Sequence, residues 1–408
     1  MDYETPARFL DRTTPPTTAT LIALTSLAAL SMNLFLPSLP GMTAHFDTEY
    51  GIIQIAVAGY LFVSAGMQII IGPISDRYGR RRVMLWGIAI FGLASLGCVI
   101  APNVEIFLAF RMIQAAIVTG LVIPRAAIRD MYGPARAAAM MGWVTMGMSV
   151  APMIAPAFGG VLEGAFGWQA NFVALAVCGA LCFALAWSDM GETAARSESN
   201  LRQQIAQYPE LLTAPRFWGY ALTAATASGA FFAYLGGAPY VGSVVFEMSP
   251  AMLGIYFGAP AIGYMVGNGL SGSFSARIGI QRMIVAGTLV TVGGLLGGIA
   301  LFAIGFTSPA VFFGAMVFVG LGNGLVIPNS MSGMLSVRPR LAGTASGLGG
   351  AIMIGGGAGL STLAGVVLGG GASAVPLLVL MASTSGASVV VIAMTIRRER
   401  RIAARSES

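Results

Sequence analysis

The chain has 408 residues, of which 56% are hydrophobic and only 9% are charged. Because soluble globular proteins carry about 25% charged residues, this composition excludes a soluble fold. The 22 basic residues outnumber the 16 acidic ones, which gives a net charge of +6, and every one of them is arginine. A surplus of this kind is typical of membrane topology, so nucleic acid is not a predicted partner.

Long apolar runs predict an all-α membrane protein with twelve transmembrane helices, since a helix needs roughly 20 apolar residues to cross the hydrocarbon. The runs are continuously apolar rather than alternating, which excludes a lipid-facing β-barrel. The first run is too long for a cleaved signal peptide and has no small-residue cleavage site. The predicted spans are about 18–40, 50–72, 83–101, 104–124, 138–162, 170–188, 216–238, 250–272, 283–305, 309–330, 343–368 and 374–396.

The placement of the arginines tests this count independently. With twelve spans, every arginine except Arg111 falls in a terminus or loop on one side of the membrane, whereas the opposite loops carry only acidic charges. A miscounted span would scatter the arginines over both sides. By the positive-inside rule, both termini of this multi-pass protein are predicted to be cytoplasmic.

The chain also divides into two repeats. We predict a six-helix bundle over 1–190, a cytoplasmic linker over 191–214 and a second six-helix bundle over 215–408. The linker is interpreted as a solvated connection, with a regulatory or partner-binding segment as the alternative. Two internal duplications support the division: Ser, Arg, Gly and Arg recur 200 residues apart after the second and eighth spans, and Gly-Leu-Val-Ile-Pro recurs at 120–124 and 324–328. Parallel repeats of this kind imply a cavity between two halves, as in an alternating-access transporter.

The first copy of the duplicated loop resembles the signature loop of the major facilitator superfamily. We expect its first glycine to allow close helix approach, its second to permit a tight reversal, and its aspartate to pair with an arginine or a helix N-terminus. By this resemblance the loop latches a cytoplasmic gate, whereas a charge cluster that only sets topology is the alternative. The second copy has Ala276 in place of the acid, so a weaker latch is expected there. The predicted latch residues are Gly72, Asp76, Arg77, Gly79 and Arg80.

The fifth span is rich in glycine and proline. It is similar to the antiporter signature of drug-efflux members of that superfamily, although Ala151 replaces a usual glycine. Two prolines bend the helix and glycines let a neighbour approach, so a hinge is predicted, with ordinary helix packing as the alternative. The predicted hinge residues are Gly147, Pro152, Pro156, Gly159 and Gly160.

Together with the first span and the segment 124–130, these motifs resemble the Bcr/CflA group of drug:proton antiporters. The resemblance covers the whole chain. It implies a monomer in the bacterial inner membrane that works on small-molecule substrates within the lipid bilayer.

Arg111 is the arginine that lies inside a predicted span. It lies about seven residues, or ~10 Å at 1.5 Å per residue, from the external end of the fourth span. A charge at this depth costs at least about 2.5 kcal/mol, so we expect Arg111 to face a wet cavity and to have a polar partner. Asn33 lies at a similar depth on the first span and is expected to meet it, with Gln114 one turn further in. An arginine reaching the outer surface is the alternative that its depth disfavours.

Asn33 departs from the family pattern. Bcr/CflA members usually carry a carboxylate there, which exchanges a proton for drug, but asparagine does not titrate. This leaves proton coupling open in three ways: Glu105 carries the proton from another helical face, the substrate carries the charge, or the protein is a facilitator without coupling. Because no carboxylate balances Arg111, a neutral or anionic amphipathic substrate is favoured over a lipophilic cation.

Further polar and aromatic side chains are candidates to line the cavity, with lipid contact or helix packing as the alternative for each. These candidates are Tyr60, Gln68, Met146, Phe231, Tyr234, Tyr256, Asn268 and Asn323.

No metal or cofactor is predicted, since the single histidine lies in a loop and the cysteines lie in apolar runs. The absence of a catalytic cluster in the spans also argues against an enzyme.

The sequence therefore predicts an exporter of small amphipathic compounds, antibiotics included, that works by alternating access. A dedicated exporter or facilitator of one neutral or anionic metabolite, without proton antiport, is the alternative.

Overall fold

The computed structural model describes residues 7–132, 134–193, 208–338, 341–368, 371 and 373–406. These residues form helices joined by short connections, and no strand occurs among them. The chain forms two compact units. Unit 1 comprises Met1–Ile205 with Pro250–Gly254, and unit 2 comprises Ala206–Ser249 with Ile255–Ser408.

The described residues 7–193 of unit 1 contain nine α-helices. Some of these helices follow one another with only a short turn between them. The helices are α1 (Thr18–Asn33), α2 (Leu39–His45), α3 (Tyr50–Ile53), α4 (Ile55–Tyr78), α5 (Arg80–Val99), α6 (Val104–Ile113), α7 (Thr119–Met131), α8 (Pro134–Phe166) and α9 (Gln169–Asp189). Short 3-10 turns connect α1 to α2 at Leu36–Ser38 and α6 to α7 at Gln114–Val118. The second of these turns begins three residues after Arg111.

The rest of the described chain continues in the same manner. Its helices are α10 (Tyr208–Leu212), α11 (Pro215–Tyr240), α12 (Pro250–Phe257), α13 (Ala259–Ile278), α14 (Ile280–Ala303), α15 (Pro309–Val337), α16 (Ala342–Leu368) and α17 (Val375–Ser406). A π-helical turn, Val241–Val245, follows α11. The core of unit 2 at the end where α11 begins is formed by Phe217, Tyr220 and Ile392 with their apolar neighbours.

The predicted all-α membrane fold is confirmed, with one difference in the count. Ten helical segments of the described chain are long and apolar enough to span a membrane. The predicted fifth span lies in the 33-residue helix α8, several of whose side chains lie outside the described residues; its fully described apolar part is Ile154–Phe166. The predicted seventh span lies in α11, whose many Gly, Ala, Ser and Thr residues lower its hydropathy.

The duplicated loops have the same backbone geometry. Gly79 separates α4 from α5 with φ +94°, and Gly279 separates α13 from α14 with φ +91°. In both, the glycine N–H donates to the serine carbonyl four residues earlier, at 3.0 and 2.9 Å. Both glycines adopt a conformation that L-residues with a side chain rarely occupy, which explains why this residue recurs at an interval of 200 positions.

Alanine substitutions at these two glycines are expected to differ in cost. Each carries backbone strain of about 1–3 kcal/mol. A methyl group at Gly79 would also contact the Glu192 carboxylate, whereas one at Gly279 would meet nothing within 4 Å among the described residues. We therefore expect Gly79→Ala to lower the melting temperature of the purified protein more than Gly279→Ala does. Equal losses would show that the Glu192 contact does not matter for stability.

The start of α1 is held by a carboxylate from the end of α9. Asp189 is fully buried. One of its oxygens accepts hydrogen bonds from the backbone and hydroxyl groups of Thr17, both at 2.9 Å, and the other accepts the Leu10 N–H at 2.7 Å. Negative charge near a helix N-terminus is stabilising, so Asp189 fixes the segment that precedes α1 against the same end of unit 1.

Candidate functional site

Arg111 lies in the interior of unit 1. Its side chain has no exposed surface. The guanidinium donates to the Ser31 carbonyl at 2.9 Å, to the Ala56 carbonyl at 3.1 Å and to Gln114 Oε1 at 2.7 Å. Three helical segments, α1, α4 and the turn after α6, therefore meet at this one cation.

Two aromatic rings cover the faces of the guanidinium. Its central carbon lies 4.2 Å from the ring centre of Phe35 and 4.0 Å from that of Tyr60. A cation over an aromatic face is attracted by the ring quadrupole, most strongly when water is excluded. Carbonyl dipoles and ring faces thus add to the compensation that the polar side chain of Gln114 supplies.

The polar network extends on both sides of Arg111. The Tyr60 and Ser31 hydroxyls are 2.7 Å apart. On the other side, Gln114 Nε2 donates to Ser95 Oγ at 2.7 Å. Gln114 is therefore held by both its amide oxygen and its amide nitrogen, so the guanidinium has a fixed geometry.

The expected pairing of Asn33 with Arg111 is wrong in this structure. Asn33 is 4% exposed, and its Nδ2 donates to the Ala29 carbonyl on its own helix at 2.7 Å. Phe35, two residues later, takes the place against the guanidinium because α1 ends at Asn33 and the chain turns there. Asn33 and Arg111 were expected at a similar depth in the membrane, but depth does not determine which way the Asn33 amide points.

The expectation that Arg111 faces water also differs from what we observe. The side chain is sealed by Phe35, Tyr60 and the three acceptors. Gln68 lies on α4 two turns beyond Tyr60, is 9% exposed, and its buried Nε2 has no hydrogen-bond partner in the part of the chain that the structure describes. The side chain of Met146 lies outside the described residues.

In unit 2, the predicted aromatic residues pack around two phenylalanines. Tyr234 is 1% exposed, its hydroxyl donates to the Phe257 carbonyl at 2.9 Å, and its ring lies 4.6 Å from that of Phe257. Tyr256 packs on Phe313 at 5.3 Å, and Phe231 stacks on Tyr234 at 6.4 Å. These contacts are those of a packed core, and Tyr234 in particular is fully used within it.

The two predicted asparagines of unit 2 differ in their bonding. The Nδ2 of Asn268 donates to the Tyr264 carbonyl on the same helix at 3.0 Å. Asn323 is 3% exposed, and no described residue donates a hydrogen bond to its buried Oδ1. An unpaired buried amide oxygen is costly, so Asn323 is the asparagine in unit 2 that is better suited to bind a polar group.

The duplicated loop of unit 1 is organised around Arg80. This residue is 6% exposed and forms ion pairs with Asp76 at 2.7 Å and with Asp130, at the end of α7, at 2.6 Å. It also donates to Ser75 Oγ at 2.9 Å. Arg77, in contrast, is exposed and lies 5.4 Å above the ring of Tyr78.

Gly72 does not have the expected role in close helix packing. A methyl group at this position would meet nothing within 4 Å in the described chain. Its carbonyl instead accepts the Ser75 hydroxyl at 2.8 Å. Gly79 does permit the reversal, because its positive φ lets α5 begin directly after α4.

Sequence reasoning missed the acid that caps α5. The Glu192 carboxylate accepts the backbone N–H groups of Arg80 at 2.7 Å and Arg81 at 3.3 Å. Glu192 lies in the stretch interpreted as the start of a solvated linker. The adjacent Gly191 packs against the Thr14 carbonyl, so the first residues after α9 belong structurally to unit 1. Residues 194–207 of the predicted linker lie outside the described residues.

The second copy of the loop is organised by a different acid. Glu399, near the end of α17, pairs with Arg216 at 2.7 Å and accepts hydrogen bonds from Tyr220 at 3.3 Å and from Gln281. Gln281 occupies the position that corresponds to Arg81. The second loop has Ala276 at the position of Asp76. Glu399, from the last helix, instead binds the start of α14.

The predicted hinge helix α8 packs closely at its end. Gly159 lies against the Leu34 carbonyl and Gly160 against the Pro250 carbonyl. The carbonyl of buried Pro156 faces Gly254 in the same way. The side chain of Pro152 and the surroundings of Gly147 lie outside the described residues.

Comparison with known proteins identifies a family. A model of the Major Facilitator Superfamily matches residues 21–362. A chloramphenicol resistance protein of Pseudomonas aeruginosa is 29% identical over 80% of this chain and 79% of its own. A bicyclomycin resistance protein homolog of Haemophilus influenzae is 27% identical over 84% of this chain and 87% of its own.

A solved structure supports the fold. It is a bacterial homolog of the human lysosomal transporter Spinster in an inward-facing and occupied conformation. It aligns with a TM-score of 0.72 and 18% identity, over 94% of this chain and 96% of that one. The family model covers most of the chain. The chain belongs to the Major Facilitator Superfamily.

Proposed function

We propose that this protein exports small amphipathic compounds, antibiotics included, by alternating access. The observation that carries the proposal is its similarity, over about four fifths of the chain, to proteins named for resistance to chloramphenicol and bicyclomycin. Resistance through a transporter requires that the drug be moved out of the cell. By the positive-inside rule, we assign the arginine-rich ends of the helices to the cytoplasm. We assign the protein to the inner membrane.

The charge of Arg111 favours neutral or anionic substrates. Its partners are two backbone carbonyls, one amide oxygen and two ring faces, and no carboxylate pairs with it among the described residues. A buried positive charge without an acid raises the potential of its surroundings and disfavours a second cation. Gln68 in unit 1 and Asn323 in unit 2 each have a buried amide atom without a partner among the described residues, and each is a candidate to bind a polar group.

Two further parts of unit 1 serve the conformational cycle in this proposal. Arg80, with Asp76 and Asp130, latches the arginine-rich ends of α4, α5 and α7. At the other end of α8, the closely packed Pro156, Gly159 and Gly160 form the hinge of this cycle. The protein acts as a monomer.

Export is tested with two probes that differ in charge. Cells that express this chain are loaded with chloramphenicol, which is neutral, or with ethidium, a lipophilic cation, and retained probe is compared with that in cells carrying an empty vector. We expect chloramphenicol to be expelled, and ethidium to be expelled at least ~10-fold more slowly because of the Arg111 charge. Expulsion of neither probe, nor of other neutral antibiotics, would contradict the proposal and favour a dedicated carrier of one metabolite.

A further inference from the structure

The end of α8 carries a carboxylate that has no role in the features described so far. Glu163 lies one turn after Gly159, at the end of unit 1 opposite the arginine-rich loops. One of its oxygens, Oε1, lies directly against Gly41 of α2. The Ser38 hydroxyl, in the turn before α2, donates a hydrogen bond to the carboxylate.

This carboxylate belongs to a buried polar chain. Ser38 and Asn171 have no exposed surface. The Nδ2 of Asn171 donates to Ser38 Oγ at 2.7 Å and to the Gly159 carbonyl at 3.2 Å. A continuous path of hydrogen bonds thus runs from the α8 backbone through Asn171 and Ser38 to Glu163.

Two acceptor atoms of this cluster receive no hydrogen bond from the described residues. Among the described residues, Glu163 Oε2 and Asn171 Oδ1 are both buried without a partner. Buried polar atoms are almost always hydrogen-bonded, so two unpaired acceptors that are linked through Ser38 mark a site rather than ordinary packing.

No cation balances the charge of Glu163. It forms no ion pair in the described chain. On α2 the titratable residue is His45, whose ring packs on Phe46 and Trp168. On α9 the charged residue is Asp189, at the far end of the helix, and the segment Pro250–Gly254 that packs on Gly160 has none.

We infer that Glu163 is a proton-binding site of this transporter, and this inference rests on the proposed export function. An ionised carboxylate with one oxygen buried and unpaired is costly, and a bound proton removes the charge and turns that oxygen into a donor. The reaction is a simple association of one proton with the Glu163 carboxylate. It supplies the titratable group that Asn33, on α1, lacks.

Infrared titration of the purified protein in lipid tests proton binding directly, because a protonated carboxyl group has its own carbonyl band. Three proteins are compared: the parent, Glu163→Gln and Glu105→Gln. Glu105 is the matched control, because it is an exposed carboxylate at the same end of unit 1. We expect one titrating carbonyl band to disappear in Glu163→Gln and to persist in Glu105→Gln. An identical titration in all three proteins would overturn the inference.

A second variant moves the carboxylate without removing it. A methyl group at Gly41 would occupy the position of Glu163 Oε1, and the side chain would have to turn towards water. We expect Gly41→Ala to shift the titration midpoint of the Glu163 band to lower pH, because hydration favours the ionised form. An unshifted midpoint would show that the buried position does not control protonation.

A transport assay distinguishes a failure of this inference from a failure of the proposed export function. In proteoliposomes, we expect a pH gradient to drive chloramphenicol accumulation by the parent and by Glu105→Gln, and this accumulation to fall at least ~10-fold in Glu163→Gln. Exchange of labelled for unlabelled drug without a gradient should continue in Glu163→Gln. Gradient-driven accumulation by Glu163→Gln at the parent rate would overturn the inference. If the parent exchanges no drug at all, the export proposal fails, and the infrared titration still decides the proton site.

Discussion

Replacement of Arg111 by methionine will abolish export. Methionine fills similar volume but leaves the Ser31 and Ala56 carbonyls and Gln114 Oε1 without their donor. Each buried acceptor left unpaired costs about 1–3 kcal/mol, and α1, α4 and the turn after α6 lose their common contact. We expect chloramphenicol export to fall by at least ~100-fold, which corresponds to about 2.7 kcal/mol.

Arg111→Lys provides the control for folding. Lysine keeps the charge, but its single ammonium group cannot reproduce the planar fork that reaches three acceptors. We expect this variant to insert in the membrane and to export roughly 10-fold more slowly than the parent. The measurement is the initial rate of chloramphenicol export, normalised to the amount of folded protein in the membrane. Export at the parent rate by Arg111→Met would show that the network is structural scaffolding and not part of the transport machinery.

Arg80→Ala will also stop export, through the loop at the arginine-rich end. Arg80 is buried and pairs with Asp76 and Asp130, so its removal leaves two partly buried carboxylates facing each other. Loss of one partner of a buried ion pair costs about 3–5 kcal/mol. We expect export to fall at least ~10-fold and the melting temperature of the purified protein to drop.

Arg77→Ala is the matched control for this prediction. It removes the same charge three residues earlier in the same loop, but Arg77 is exposed and lies over the ring of Tyr78. A loop that merely sets topology by its total charge would respond equally to both substitutions. We expect Arg77→Ala to keep export within about twofold of the parent, since exposed charges contribute little. Equal losses in the two variants would contradict the latch.

The sequence predicted the fold well because hydropathy and repetition are properties of the chain itself. The apolar runs mark the helices, and Gly79 and Gly279 recur because both positions need positive φ. The burial of Arg111 was predictable for a similar reason, since a cation inside an apolar run has few ways to avoid lipid. Its network partner Gln114 follows from helical spacing, three residues along the chain.

The contacts that were not predicted join residues far apart in sequence. Glu192 lies 112 residues from the Arg80 N–H that it accepts, and no local pattern links the two. Glu399 replaces the lost acid of the second loop from 118 residues away. The only sequence signal was an acid near a helix end: Glu192 follows Asp189 by three residues, and Glu399 lies among the arginines of 397–401. The pairing expected for Asn33 was wrong because depth along two helices leaves the direction of each side chain undetermined.

Chloramphenicol flux in proteoliposomes containing only this protein tests the central claim most directly. The account predicts saturable drug movement that is present with the parent protein and lost with Arg111→Met, at equal amounts of folded, reconstituted protein. Drug movement that is no faster than in protein-free liposomes, or that is the same in both proteins, would contradict it.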